Sequence, residues 1–133
     1  YGGHFFGSSV TIDGDLVVVG ARSSDISATD DGACYVYARS GSAWSEEDRL
    51  VASNASASAA FGSSVALHGD TLVVGAPGAL APSATTGAAY VFRQTAGSWS
   101  EVTPLFVDGG YVPAEFGSAI AYDGATAFVG SWN

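Results

Sequence analysis

The stretch FGSSVALHGDTLVVGAP, residues 61–77, decides the fold because partial copies of it stand on both sides. Its first five residues, FGSSV, already occur at residues 6–10 and return as FGSAI at residues 116–120. The starting positions 6, 61 and 116 are separated by a constant step of 55 residues. A fixed step of this size is the signature of a tandem repeat. At 133/55 the chain holds about 2.4 repeats, which we divide into residues 1–60, 61–115 and 116–133.

Each complete repeat predicts four short strands. In the second repeat these are Ser63–Leu67, Thr71–Val74, Ala88–Arg93 and Trp99–Phe106, with Gly75-Ala76-Pro77 ending the second strand and a polar loop at 78–86. No window shows sustained helical periodicity. We therefore expect an all-β fold of four-stranded β-propeller-type blades in tandem. Residues 116–133 are expected to form only the inner strands of an incomplete third blade.

A family resemblance rests on two segments of the second repeat. FGSSVALHGDTLVVGAP and GAAYVFRQTAGSWSEVTPL closely resemble the FG-GAP repeat, in the short-turn version common in secreted and surface proteins of microbes. The resemblance implies the blades of a β-propeller, as in the head of integrin α chains, and an extracellular or cell-surface location. The first repeat departs from the pattern at Arg22, where Pro is usual, and the third at Ser131-Trp132, where Ala-Pro is usual.

Five aromatic residues at repeated positions are expected to pack between blades: Phe6, Phe61, Phe116, Trp44 and Trp99. The three phenylalanines would act as wedges, and the two tryptophans on outer strands would keep the indole N–H near the rim. A glycine follows each phenylalanine, and its missing Cβ would let the neighbouring blade approach.

The turns between the first two strands bear on metal binding. Integrin-type blades often bind Ca²⁺ there through an Asp-x-Asp-x-Asp loop, whereas this chain has Asp13-Gly14-Asp15, His68-Gly69-Asp70 and Asp123-Gly124-Ala125. Ca²⁺ needs six or more oxygen ligands, which such tight turns do not supply. We therefore expect no metal site and no cofactor.

A second group of acids is Asp25, Asp30 and Asp31, in the loop 22–31. These carboxylates could bind a cation together with backbone carbonyls, but a solvated acidic loop is favoured. The equivalent loop of the second repeat carries no acid.

Candidates for catalysis are few. His4 and His68 are the two histidines, and neither has a Cys or His partner at ligand spacing or belongs to a Ser-His-Asp set. Cys34 lies in an apolar strand and is expected to be a buried, inert thiol. We therefore predict no catalytic residues and no enzymatic activity.

The charge of the chain restricts its partners. Thirteen acidic residues stand against four basic ones, for a net charge of −9. Nucleic acids and anionic membrane surfaces need a basic footprint, so neither is expected as a partner. No apolar run reaches the length needed to cross a bilayer, so no membrane insertion is expected.

One modification signal is the triplet Asn54-Ala55-Ser56, an acceptor for N-linked sugar in the exposed-looking stretch 53–60.

The number of repeats suggests what the chain binds. Two blades and a fragment leave apolar faces bare, and arrays of fewer than about three repeats are usually unstable alone. The expected partners are therefore other propeller blades or copies of this chain, with extracellular protein or glycan as a further class. We predict a non-enzymatic extracellular structural or adhesive module that mediates such contacts or self-assembly. Two alternatives are an accessory propeller of a larger secreted enzyme and a subunit of an extracellular surface filament.

Overall fold

The computed structural model describes residues 4–80, 86–107 and 115–132, and every regular element in them is a β-strand. The first sheet contains β1 (Phe6–Asp13), β2 (Leu16–Ala21), β3 (Ala33–Ser40) and β4 (Ala43–Leu50). The second contains β5 (Ser64–His68), β6 (Thr71–Leu80), β7 (Thr86–Thr95) and β8 (Ser98–Leu105). The third contains β9 (Ala119–Tyr122) and β10 (Ala127–Gly130). We call these sheets the first blade, the second blade and the third hairpin.

The strands of each blade form an antiparallel meander in chain order, β1-β2-β3-β4 and β5-β6-β7-β8. The repeat holds at the level of pairing: Val19 lies opposite Tyr35 in the first blade, and Val74 lies opposite Tyr90 in the second. The prediction of an all-β fold built from four-stranded blades is confirmed. The boundaries of the repeat units at 60 and 115 stay a prediction. In the described residues no helix is present that is long and apolar enough to cross a membrane.

The second blade is covered on both faces near its inner strands. We call the face that carries Leu72 and Val74 its front face and the face that carries Val73 its back face; equivalent positions define the faces of the other sheets. Val73 is 2% exposed, and Leu72 and Val74 are fully buried. One core cluster joins the back face of the first blade, including Val18, to this front face. The unbroken apolar sequence of β6 is therefore explained by a strand buried on both sides.

β6 is longer than its sequence predicts, because it continues past Gly75-Ala76-Pro77 to Leu80. Its pairing with β7 shifts between Ala76 and Leu80. The segment that joins the two blades supports this extension, since the Gly78 N–H donates to the Ala59 carbonyl at 3.0 Å. A local reading of the sequence placed residues 78–80 in a loop because the hydrogen-bond partner lies in the preceding repeat.

Candidate interface on the blade faces

Each sheet begins with the same tight turn, which we call the FG turn: residues 5–8, 60–63 and 115–118. In the second blade the Ala60 carbonyl accepts the Ser63 N–H at 3.2 Å and the Ser63 hydroxyl at 2.7 Å. Gly62 has φ of 89°, as the third position of a type II turn requires. Ala60 is itself left-handed, with φ of 55°, a conformation that costs an L-residue about 1–2 kcal/mol. The FG turn is therefore held by tertiary contacts at a local cost.

Those contacts tie the FG turns of the second blade and of the third hairpin to the preceding blade. The Phe61 N–H donates to the Asp31 carbonyl at 2.9 Å, and the Ser9 hydroxyl donates to the Gly62 carbonyl at 2.7 Å. The next joint repeats the second bond, because the Ser64 hydroxyl donates to the Gly117 carbonyl, also at 2.7 Å. The same polar joint is thus made twice within one chain.

Two glycines make this close approach of the blades feasible. A Cβ on Gly20 would lie 2.0 Å from the Gly62 carbonyl oxygen, and one on Gly75 would lie 1.9 Å from the Gly117 carbonyl oxygen. The sequence suggests only that these glycines end a strand. In the structure their missing Cβ atoms leave room for the FG turn of the next sheet. Gly130 occupies the same repeat position, but its nearest contact would be Ala119 Cβ at an ordinary 3.5 Å.

The second blade buries the aromatic residues expected to pack between blades. Phe61 is fully buried and lies edge-on to Tyr90 and Phe92, with ring centroids 5.5 and 5.9 Å apart. Trp99 is 9% exposed, and its Nε1 is buried with no hydrogen-bond partner in the described structure, so this N–H is not at the wet rim as expected. Phe116 is half-buried beside Gly87.

The first blade leaves the equivalent residues uncovered. The Phe6 ring packs on Tyr35, at 5.6 Å between centroids, and Phe6 is 59% exposed. Trp44 is 42% exposed beneath the Arg39 guanidinium. Val10 and Ile12 on β1 are 60% and 63% exposed, and no described sheet covers this front face. Phe6 and Trp44 therefore lie on a surface of the kind that the second blade buries against its neighbour.

A hollow of about 340 Å³ lies at this bare face, lined by His4, Phe6, Ala21, Ser24, Asp25, Ile26 and Tyr35. At the matching place on the second blade the connecting segment 51–60 is seated. There the Tyr90 hydroxyl donates to Asn54 Oδ1 at 2.8 Å, and Ala59 is 1% exposed. The hollow therefore lies where the second blade receives its connecting segment.

Asn54 itself lies on the surface, in the connecting segment. The neighbouring Ser53 binds the Glu101 carboxylate through its N–H at 2.9 Å and its hydroxyl at 2.8 Å. The hydroxyl of Ser56 is buried and lacks a partner among the described residues. Asn54 thus helps to seat one blade on the next, and its glycosylation stays a prediction.

The acidic loop differs from expectation. Asp31 is only 1% exposed, and its carboxylate accepts the backbone N–H groups of Ile26, Ser27 and Ala28 at 2.9, 2.7 and 3.0 Å. The Asp31 carboxylate is therefore buried in the loop and holds its backbone in place. The three backbone N–H groups take the place of the water that would otherwise solvate the carboxylate. The described residues contain no group of three or more His, Cys, Asp or Glu side chains placed to hold a metal ion.

The carboxylates of the strand-connecting turns bind backbone groups. Asp13 Oδ2 accepts the N–H of Gly69 on the next blade at 2.6 Å. Asp123 Oδ1 accepts the N–H groups of Thr126 and Ala125 at 2.8 and 2.9 Å, and these bonds lower the pKa of Asp123. Asp123 therefore stabilises its own turn, and Asp13 links the first blade to the second.

The remaining candidates lie apart from one another. His68 contacts Tyr122 of the third hairpin edge-on, at 6.1 Å between centroids. Cys34 is fully buried within the core cluster, and its burial raises the pKa of the thiol well above the usual range. Sequence reasoning missed the roles of Ala60, Gly75 and Asp31. The repeat gave a signal only for Gly75, because glycine recurs at the same repeat position as Gly20 and Gly130.

Four-stranded meanders stacked through FG turns define a propeller-type module. A family model described as FG-GAP repeat matches residues 2–37 and 44–92, more than half of the sequence, and the chain belongs to this family. FG-GAP repeats are typically found in extracellular proteins. A comparison with curated proteins finds no match.

Proposed function

We propose that this chain is a non-enzymatic structural or adhesive module of the extracellular space or cell surface. It acts by binding other protein, including blades of the same type and copies of itself, and glycan is a further class of ligand. The observation that carries the proposal is the bare front face of the first blade, with Phe6, Val10, Ile12 and Trp44 exposed.

The second blade supports this reading by comparison. Its counterpart of Ile12 is Leu67, which is 7% exposed beneath the first blade, and its counterpart of Trp44 is Trp99, at 9%. Complete burial of one such side chain contributes about 1.5–3 kcal/mol. An exposed apolar surface of this kind marks a site of interaction. Covering the front face of the first blade with protein would therefore stabilise the complex by burying these apolar side chains.

Sedimentation velocity of the purified chain and of two charged variants tests this function. The chain is expected to associate at micromolar concentration, and Ile12→Glu is expected to reduce association because it places a charge in the contact. Val102→Glu is the matched control, since Val102 is similarly exposed, at 57%, on the outer strand of the second blade. Association that is equally sensitive to both variants, or a stable monomer throughout, would contradict the proposed function.

A further inference from the structure

A second hollow, of about 260 Å³, lies where the two blades and the third hairpin meet. Its lining includes Arg22 directly after β2, Ser58 of the connecting segment, Ser63 of the second blade's FG turn, Pro77 and Gly78 of β6, and Glu115 of the third hairpin's FG turn. The walls therefore come from all three sheets, and the space belongs to the joints between them instead of to an uncovered face. We call it the seam hollow.

Backbone hydrogen bonds fix the frame of the seam hollow. The Ser58 N–H donates to the Thr29 carbonyl at 2.8 Å, and the Ala60 N–H donates to the Asp30 carbonyl at 3.1 Å. Ser58 and Ala60 are both left-handed, with φ of 61° and 55°. Strained residues of this kind persist where the surrounding structure holds them, and they cluster at ligand-binding sites. The hollow is therefore preformed, as sites for small ligands usually are.

Arg22 brings a positive charge to this hollow. Its guanidinium lies over the Phe5 ring, 5.0 Å from the centroid, a contact that holds the side chain in place. Among the described residues the sole ion pair joins Arg39 to Asp15, so Arg22 takes part in none there. Arg22 is also the residue at which the first repeat departs from the FG-GAP pattern, and Pro77 occupies the equivalent position in the second. This departure places a strong hydrogen-bond donor where the pattern has none.

The other polar groups of the seam hollow complement Arg22. A guanidinium only donates hydrogen bonds, whereas the Glu115 carboxylate only accepts them, several at a time. The hydroxyls of Ser58 and Ser63 do both, and the Ser63 hydroxyl, which donates to the Ala60 carbonyl at 2.7 Å, keeps its lone pairs for a ligand. A charged ligand would meet a like charge at Arg22 or at Glu115. The groups together therefore suit an uncharged ligand with several groups that both donate and accept.

We propose that the seam hollow binds one residue of a neutral saccharide, with Arg22 donating to ring hydroxyls and Glu115 accepting from them. Neighbouring hydroxyls of a sugar ring each donate and accept, and its C–H groups suit the half-buried ring of Pro77. Acidic sugars are disfavoured by Glu115 and by the net charge of −9. This inference rests on the glycan class named in the proposed function. It assigns that class a site that shares no lining residue with the hollow at the first blade's front face.

Saturation-transfer difference NMR of the full chain tests this site with uncharged probes, the methyl α-glycosides of glucose, galactose and mannose. At least one should show saturable transfer with a millimolar dissociation constant, because a small ligand in an open hollow makes few contacts. Arg22→Ala should weaken that binding about tenfold, since a hydrogen bond to a charged group contributes enough for one power of ten. Arg93→Ala is the matched control and should leave binding unchanged, because Arg93 is an exposed arginine on β7 outside the hollow.

Absence of saturable transfer to all of these glycosides, or equal weakening by both variants, would overturn the inference. Both variants should melt at the temperature of the parent chain, because both arginines are exposed, so a loss of binding reports on the site and not on the fold. Ile12→Glu separates this outcome from the proposed function. Ile12 does not line the seam hollow, so this variant should bind the glycoside normally even where it no longer associates. Association of the parent chain without glycoside binding would refute the saccharide site alone.

Discussion

Substitution of Gly75 by alanine probes the joint between the second blade and the third hairpin. The new methyl group would stand 1.9 Å from the Gly117 carbonyl oxygen and 2.3 Å from Ser64 Oγ, where ordinary contacts begin at 3.4 Å. The obstacle is backbone, so a side-chain rotation cannot relieve it. The FG turn of the third hairpin must therefore move away by about 1.5 Å or β6 must distort, at the typical overpacking cost of about 1–3 kcal/mol.

The magnitude follows from what this movement breaks. The hydrogen bond of 2.7 Å from the buried Ser64 hydroxyl to the Gly117 carbonyl would be lost. Leaving such buried groups unpaired costs about 1–3 kcal/mol. Alanine regains about 0.5–1 kcal/mol through its smaller loss of backbone entropy. The net loss of about 1–5 kcal/mol, with its middle near 3 kcal/mol, is a large share of a typical 5–15 kcal/mol of stability.

Thermal melting followed by circular dichroism measures this loss, which should lower the melting temperature by roughly 10 °C. Gly130→Ala is the matched control, because it changes the same repeat position where the new methyl group would lie at ordinary distances from Ala119, 3.5 Å from its Cβ and 3.7 Å from its carbonyl oxygen. That variant should melt at or slightly above the temperature of the parent chain. If Gly75→Ala melted like the parent, or if both variants lost equal stability, the account of the blade joint would be wrong.

Three further changes test separate parts of the structure. Ala60→Gly should stabilise the chain by about 0.5–1 kcal/mol in urea unfolding, because glycine relieves the left-handed strain of φ 55°; a loss of stability would show that the FG turn is not strained there. Val73→Asp should abolish cooperative melting by burying an unpaired charge at a position 2% exposed, and an unchanged melt would contradict the two-sided burial of β6. Cys34 should resist a thiol reagent at pH 8 in the native chain and react once denaturant is added, because burial raises the pKa of the thiol; rapid reaction of the native chain would place it at the surface.

The repeat made most of the fold predictable from sequence. A constant step of 55 residues relates the strands of the two blades. The strands predicted for residues 61–77 could therefore be assigned also to the copies of this motif that start at residues 6 and 116. Phe61 was expected at a contact between blades, because a large aromatic next to glycine at a strand entrance suits close packing, and it lies in the core cluster. The repeat also shows that the exposed front face of the first blade carries apolar residues at the positions that are buried on the front face of the second blade.

Other features depend on partners that local sequence does not reveal. The carbonyl of Ala59 lies in the preceding repeat, so the extension of β6 to Leu80 was missed. Asp31 looked like a solvated acid, since its three N–H donors become visible only once the loop has closed around it. Phe5, Ala60 and Glu115 share a left-handed conformation, with φ of 44°, 55° and 61°, yet have no side-chain property that would indicate it.

The dependence of the melting temperature on protein concentration tests most directly the claim that the bare blade faces are contact surfaces. Association that covers them stabilises the folded chain by mass action, about 2.7 kcal/mol for a hundredfold excess over the dissociation constant. The melting temperature should therefore rise by several degrees between about 1 and 100 µM, and Ile12→Glu should flatten this rise. A cooperative transition at the same temperature over that whole range would contradict the account.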